Sequence, residues 1–333
     1  EVARPESAGF SAEGLAKIKP AMEKHIQDGK IAGGSGLVAR NGKIVYAEVW
    51  GHRDREKELP VEDDTIFRIY SMTKPITSVA AMMLVDAGKM KLDDPVAKYL
   101  PELADRKVLV KSDGGEISEV PAKRDITIRD LLRHTSGLTY GFFGNSEVDK
   151  RYRQSGILIT DFTLEDTIKK LANIPLLHQP GSRWHYSVST DVLGRVIEVV
   201  SGQTLDEYFR SKIFEPLGME DTFFTVPKDK LSRLAQMYKP SGGSLEPCNP
   251  LESVRFVSPA NEFFSGGGGL CSTTQDYLTF CRMLLNEGEL NGKRLLRKRT
   301  VRAMRTDQLE RDTKRSGVFQ FGLGFSINQR GAY

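Results

Sequence analysis

The hydrophobic positions of the chain change period twice, and the elements they predict alternate accordingly. Leu15, Ile18, Met22 and Ile26 recur at helical spacing, with Pro20 inside the pattern predicting a kink or a restart. Gly36-Leu37-Val38-Ala39-Arg40 and Lys43-Ile44-Val45-Tyr46-Ala47-Glu48-Val49 then flank Asn41-Gly42, two residues that accept positive φ and so predict a β-hairpin. The apolar run Ile66-Phe67-Arg68-Ile69-Tyr70 reads as strand. From Ser71 to about Gly218 the pattern is mainly helical, starting with a run from Ile76 to Val85 that is apolar enough for a buried helix and is closed by Gly88. Thr127 with Asp130, Thr163 with Asp166 and Thr204 with Glu207 have the capping-box spacing, and Val192, Leu193, Val196, Ile197 and Val200 form one apolar helix face. Strand character returns in Gly322-Leu323-Gly324-Phe325-Ser326-Ile327, after the glycine run Gly266 to Gly269.

Helices inserted between two strand regions predict an α/β architecture. Residues 1–70 and 250–333 are expected to form an antiparallel sheet flanked by helices, and residues 71–249 a mainly helical second domain. Composition leaves this picture unchanged: 39% hydrophobic and 28% charged residues are ordinary for a globular chain, and no apolar stretch is long enough to span a membrane. The opening Glu1-Val2-Ala3-Arg4-Pro5 has neither a methionine nor an apolar signal core, so a soluble protein is expected, cytoplasmic or periplasmic, with the compartment and the oligomeric state open. Three cysteines, Cys248, Cys271 and Cys281, form no C-x-x-C pair and read as free thiols, which argues against a disulfide framework and a zinc site. No metal or cofactor is expected. The net charge of +4 has one local concentration, Arg294, Arg297, Lys298, Arg299, Arg302 and Arg305, interleaved with Leu295, Leu296, Val301 and Met304. That pattern predicts an amphipathic helix with a solvated basic face, and the lack of interleaved aromatics argues against nucleic-acid binding.

The chemistry concentrates in Ser71-Met72-Thr73-Lys74, the chain's one Ser-x-x-Lys. Residues three apart share a helix face, with Cβ atoms about 5 to 6 Å apart, so Lys74 can reach the Ser71 hydroxyl. Pro75 places the motif at a helix start, where free N–H groups suit a developing oxyanion and the positive dipole disfavours a charged lysine. Ser and Lys are common, and on the order of one such spacing arises by chance in a chain this long. A second segment, Pro180-Gly181 through Trp184-His185-Tyr186-Ser187 to Asp191, gathers a turn, two aromatics and several hydroxyls before a helix; Tyr186 there is either a proton carrier or a core aromatic. His134 lies two residues from Ser136, with Gly137 expected as the stop of the preceding helix. The glycine run lacks dinucleotide spacing and reads as close backbone approach or a mobile loop. No G-x-S-x-G, H-E-x-x-H or P-loop motif occurs.

Taken in order, Ser71-Met72-Thr73-Lys74, Leu131 to Leu138, Pro180-Gly181 through Tyr186-Ser187, Glu215-Pro216-Leu217-Gly218-Met219 and Gly267 to Thr273 resemble the serine β-lactamase and penicillin-binding-protein superfamily. The likeness is strongest to the class C β-lactamase-like esterases, the family VIII carboxylesterases. It implies a β-lactamase/transpeptidase-like fold, Ser71 as acylated nucleophile, Lys74 as its partner and Tyr186 as general base or acid. Trp184 and Ser187, beside Tyr186, are the expected substrate contacts. A small-molecule ester with a short acyl chain is the expected substrate; the alternatives are a β-lactamase or D-alanyl-D-alanine peptidase, and a non-catalytic binding protein on the same fold. Two departures bear on that choice. The superfamily's Tyr-x-Asn is Tyr186-Ser187-Val188 here, which removes an amide suited to β-lactams and peptides, and the late Lys-Thr-Gly-like or Trp-x-Gly strand motif, which supplies half of the oxyanion hole in the family, is absent before Tyr333.

Overall fold

Two helices pack together at the centre of the molecule, and the polar side chains one of them carries inside determine what surrounds it. The computed structural model describes residues 2–157, 162–249, 251–315 and 320–327. Parts of the expected C-terminal strand region, 316–319 and 328–333, lie outside the described residues. The central helices are Thr73–Asp86 and Ser189–Ser201. Ile76, Val79, Ala80, Val192, Leu193, Val196 and Ile197 have no exposed surface and join one large apolar cluster. Gly194 permits the close packing, since a Cβ there would lie 3.0 Å from Leu205 and 3.3 Å from Leu164.

The N-terminal region folds as its pattern predicts. The helix Ala12–Ala16 restarts as Ile18–Gln27, so that Pro20 falls in a first turn, where a missing N–H matters least. Gly33–Arg40 pairs antiparallel with Lys43–Asp54 across Asn41 and Gly42, at φ 51° and 78°, and Leu59–Pro60 adds a third strand. The Ile18–Gln27 helix packs on the second strand and a later helix, Thr274–Leu285, on the first. All three expected capping boxes form, and Ser146 with Asp149 adds a fourth on the helix Glu147–Ser155.

Four expectations are corrected. The region from Ser71 to Gly218 also contains a hairpin, Lys107–Lys111 with Ile117–Pro121. The basic segment is not one amphipathic helix: Asn291 and Gly292, at φ 49° and 74°, turn Lys293–Arg294 back onto Glu289–Leu290, and the helix begins only at Lys298. The stretch from Gly322 to Ile327 is a turn and a strand, not one strand. Gln320–Phe321 pairs with Ser326–Ile327, and a Cβ at Gly322 would lie 2.0 Å from the Met304 carbonyl. Gly137 does not stop the helix Ile128–Leu132. The chain reverses at His134, φ 56°, while Gly137 is required because a Cβ there would meet the His178 carbonyl at 2.1 Å.

That reversal is anchored by a buried carboxylate. Asp130 accepts from both Arg124 nitrogens (2.5 and 3.0 Å), from Arg133 (3.1 Å), from the Thr127 amide and hydroxyl (3.0 and 2.9 Å) and from Thr135 Oγ1 (2.7 Å). Burial alone would raise its pKa, but these donors hold it down at about 2. His134, also buried, is pushed down to about 3 by desolvation and then by the nearby Lys74, so it is neutral near pH 7.

Both groups have folded pKa values below their unfolded ones, so both stabilise the fold above the unfolded value and lose that contribution as pH falls. The midpoint of thermal unfolding should decline from about pH 6.5 as His134 resists protonation, and more steeply below about pH 4 as the Asp130 contribution disappears. A midpoint that stays level down to pH 3 would refute this account. Asp130→Ala should cost about 3 kcal/mol in chemical denaturation, because buried Arg133 keeps only the exposed Glu310 as a carboxylate partner.

Candidate active site

Local backbone chemistry brings Ser71 to the end of a short strand. Phe67–Arg68 pairs with Cys271–Ser272, and Tyr70, at φ 41°, turns the chain into a single tight turn, Tyr70–Met72, that leads into the Thr73–Asp86 helix. Ser71 is exposed on the wall of an open cleft of about 530 Å³. Lys74 is buried one turn further on, with Nζ 3.2 Å from Ser71 Oγ and donating to the Gly267 carbonyl at 2.7 Å. Its Nζ lies 4.5 Å from the centre of the Tyr186 ring and 5.3 Å from that of Tyr140.

The Gly267 carbonyl is held in place because every neighbouring peptide is also engaged. Thr77 Oγ1 donates to the Gly266 carbonyl at 2.7 Å, the Leu270 amide donates to Thr73 Oγ1 at 3.1 Å, and Arg255 donates to the Gly268 carbonyl at 3.3 Å. Asp191, in the first turn of the Ser189–Ser201 helix, accepts the Gly267 amide at 3.0 Å and Ser265 Oγ at 2.5 Å. Of the two readings of the glycine run, close approach is the one observed. A Cβ at Gly266 would lie 2.6 Å from the Thr190 carbonyl, and one at Gly267 2.5 Å from Asp191 Oδ2.

Tyr186 lies on the opposite wall, packed against the His134 ring at 4.9 Å and the Tyr140 ring at 5.4 Å. The His185 amide donates to the His134 carbonyl at 2.8 Å, so the reversal anchored by Asp130 positions this segment. Tyr140, whose phenol is pushed well above its ordinary range by burial and then by nearby Asp191, shares the wall with Phe142 and Phe143. The structure thus brings Ser71, Lys74 and Tyr186 together. It does not bring the other two expected residues to the cleft. Ser187 has no exposed surface and is bonded to Ser189 Oγ at 2.8 Å and, more loosely, to His134 Nδ1 at 3.5 Å. Trp184 sits behind Tyr186, between His134 and Phe321. Both were expected at the cleft because they adjoin Tyr186 in sequence, yet the serine is turned into the core and the tryptophan backs the tyrosine.

Sequence reasoning missed Asp191, Tyr140, Phe142, Phe143 and Arg255, all on the cleft. Asp191 closes the Tyr186 segment and is its one acid, which is the signal that was available. Cys248, Cys271 and Cys281 are free thiols. Among the described residues no His, Cys, Asp or Glu side chains are grouped to hold a metal ion, and no helix is long and apolar enough to cross a membrane.

A hydroxyl beside a buried amine, with a phenol across the cleft, suits nucleophilic acyl chemistry. Known proteins of similar sequence and shape identify the family. Residues 16–333 match the family model described as Beta-lactamase. Protein Rv1367c of Mycobacterium tuberculosis is 38% identical over 304 residues, covering 90% of this chain and 75% of that protein. Esterase EstB of Burkholderia gladioli is 34% identical over 293 residues, covering 82% of this chain and 71% of EstB. The structure of EstCE1, described as a hydrolase with promiscuous acyltransferase activity, superposes with a TM-score of 0.78 at 29% identity, covering 94% of this chain and 83% of EstCE1. The chain therefore belongs to the beta-lactamase family, with the fold of the serine β-lactamases and penicillin-binding proteins and with esterases among its relatives.

Proposed function

We propose that this chain is a serine carboxylesterase that cleaves esters with a short acyl group through an acyl-enzyme on Ser71. The observation that carries the proposal is the approach of Lys74 Nζ to Ser71 Oγ while the same nitrogen donates to the Gly267 carbonyl. With one N–H committed to that carbonyl, the lone pair of a neutral amine can face Ser71 and take its proton as Oγ attacks the ester carbon. The ester C–O bond then breaks, and the departing alkoxide receives a proton from Tyr186 across the cleft, leaving the acyl group on Ser71. Water adds to the acyl carbon and gives up a proton to the Tyr186 phenolate, the bond from the acyl carbon to Ser71 Oγ breaks, and Oγ recovers its proton from Lys74 as the acid leaves. The positive end of the helix dipole beside Ser71 favours the oxyanion.

Val188 supports the ester reading over the β-lactam and peptide readings. It stands where the superfamily's amide would be, is 1% exposed and packs in the core, so it offers no polar group to hold an amide side chain. Asp191 fixes the Gly267 peptide and therefore the orientation of the Lys74 amine.

Ser71→Ala should lower turnover of p-nitrophenyl acetate by roughly three orders of magnitude or more, the loss expected when an acyl-forming hydroxyl is removed. It should also abolish the mass increase left by a fluorophosphonate. Retained turnover or retained labelling would defeat the assignment, and efficient hydrolysis of a chromogenic cephalosporin would move it to a β-lactamase. For the clamp, Asp191→Ala should reduce kcat by about tenfold to a hundredfold with KM little changed, the penalty of a displacement of about 1 Å at the reacting groups. Asp191→Asn keeps an oxygen acceptor for the Gly267 amide and should lose much less. Equal losses in the two variants would show that Asp191 does not act by holding that peptide.

A further inference from the structure

We infer that Phe142 and Phe143 form a fixed apolar platform that receives one extended, hydrocarbon-like leg of the ester, while the other leg is short and lies beside Ser71. This inference rests on the esterase reading and specifies its substrate class. The two side chains are 57% and 60% exposed, which is unusual for neighbouring phenylalanines, and they stand on the cleft that holds Ser71. They continue an aromatic surface that starts beside the reacting groups. Phe143 lies 6.1 Å from the Tyr186 ring and 4.4 Å from Phe142, and Phe142 stacks on Tyr140 at 5.1 Å.

The exposure is not that of a loose loop, because the segment is bonded down on its far side. Gly141 donates to Thr139 Oγ1 at 3.2 Å, and that hydroxyl donates to Asp149 at 2.9 Å. Asp149 also accepts the Ser146 amide at 3.0 Å and its hydroxyl at 2.6 Å. Arg153 donates to the carbonyls of Gly141 and Gly144, the latter at 3.0 Å. A Cβ at Gly141 would lie 2.6 Å from that of Tyr152, and one at Gly144 2.6 Å from Asp149 Oδ2, so the backbone rests directly on the Glu147–Ser155 helix. Two apolar rings held open to solvent in this way are pre-organised for a ligand: the ordering is complete before binding, and a hydrocarbon placed across them covers surface that the fold leaves wet.

With the acyl group short, as proposed, the long leg belongs to the alcohol, and two substrate series test that assignment. One is p-nitrophenyl esters from acetate to decanoate; the other is acetates of primary alcohols from ethanol to decanol. In the wild-type protein kcat/KM should rise roughly fourfold per added methylene in the acetate series, the factor that follows from burying a CH₂ group, and a rise in the p-nitrophenyl ester series instead would overturn the short-acyl reading. In Phe142→Ser/Phe143→Ser the long-to-short ratio within the acetate series should collapse toward one, and in Phe142→Leu/Phe143→Leu it should largely return. An absence of slope in both wild-type series, or the same slope in the serine variant, overturns the platform; a serine variant that differs only in self-association overturns it as well. Turnover of p-nitrophenyl acetate by the wild-type protein keeps the two claims apart. If it is present without a slope the esterase stands and the platform falls, and if no ester is turned over both fall.

Discussion

The Thr73–Asp86 helix is buried on nearly every side, and the site exists because of the polar groups it takes inside. Thr73, Lys74, Thr77 and Ser78 are all 5% exposed or less. An unpaired buried polar group costs about 1 to 3 kcal/mol, so each must find a partner, and a helix has no spare backbone groups to offer them beyond its first turn. Thr73, Lys74 and Thr77 find partners in the backbone of residues 266–270, whose close approach rests on the glycines at 266 and 267, and Thr77 also bonds the Thr73 carbonyl of its own helix. Gly324, at φ 91°, comes in close to the same helix, where a Cβ would lie 2.2 Å from Ser78 Oγ. The two glycine-bearing segments thus both bring backbone to contact distance with this helix. Orientation of the Lys74 amine is a by-product of pairing its buried polar groups.

The charges around the site are arranged so that none of them neutralises the lysine directly. The Nζ atom meets a carbonyl oxygen and the faces of Tyr186 and Tyr140, while the Asp191 carboxylate is taken up by Ser265 and the Gly267 amide. A carboxylate in direct contact would favour the ammonium form, which has no lone pair for a serine proton. A carbonyl accepts from the amine and from the ammonium, and aromatic faces attract the cation once it forms. His134 follows the same logic: kept neutral by burial and by Lys74, it adds no competing positive charge behind Tyr186.

How much of this was legible in the sequence depended on the range over which each signal acts. Local signals held: Asn41-Gly42 closed its hairpin, the Thr127, Thr163 and Thr204 boxes capped their helices, and Ser71 sits at the helix start that Pro75 implied. The proximity of Ser71 and Lys74 was legible from their spacing, and Tyr186 stands beside them as the ordered motifs around it implied. Signals that depend on what packs from elsewhere failed. Arg294 to Arg305 has a helical pattern over its whole length, but Leu295 and Leu296 are drawn against the core outside any helix, after the Asn291-Gly292 turn. Ser187 and Trp184 adjoin Tyr186, and nothing in a sequence states which neighbour of a cleft residue faces the cleft. Gly137 resembled a helix stop because the carbonyl that demands a glycine there belongs to His178, far along the chain.

The two walls of the cleft are built from separate networks, and this explains why Asp191 is the residue on which their alignment turns. One wall is Ser71, Lys74 and the glycine run, bonded through Thr73 and Thr77. The other is Tyr186 with Tyr140 and the phenylalanines, held by Asp130 through the His134 reversal and by Asp149 through Thr139. Asp191 belongs to the second by sequence, five residues after Tyr186 and on the helix that Tyr186 precedes, yet its carboxylate is spent on the first. A carboxylate suits this position because one oxygen receives an amide and a hydroxyl together, from two residues of the same loop, and so fixes the loop in angle as well as in distance. The glycine run that orients Lys74 is thereby tied to the helix that follows Tyr186, in addition to the direct packing of the two central helices.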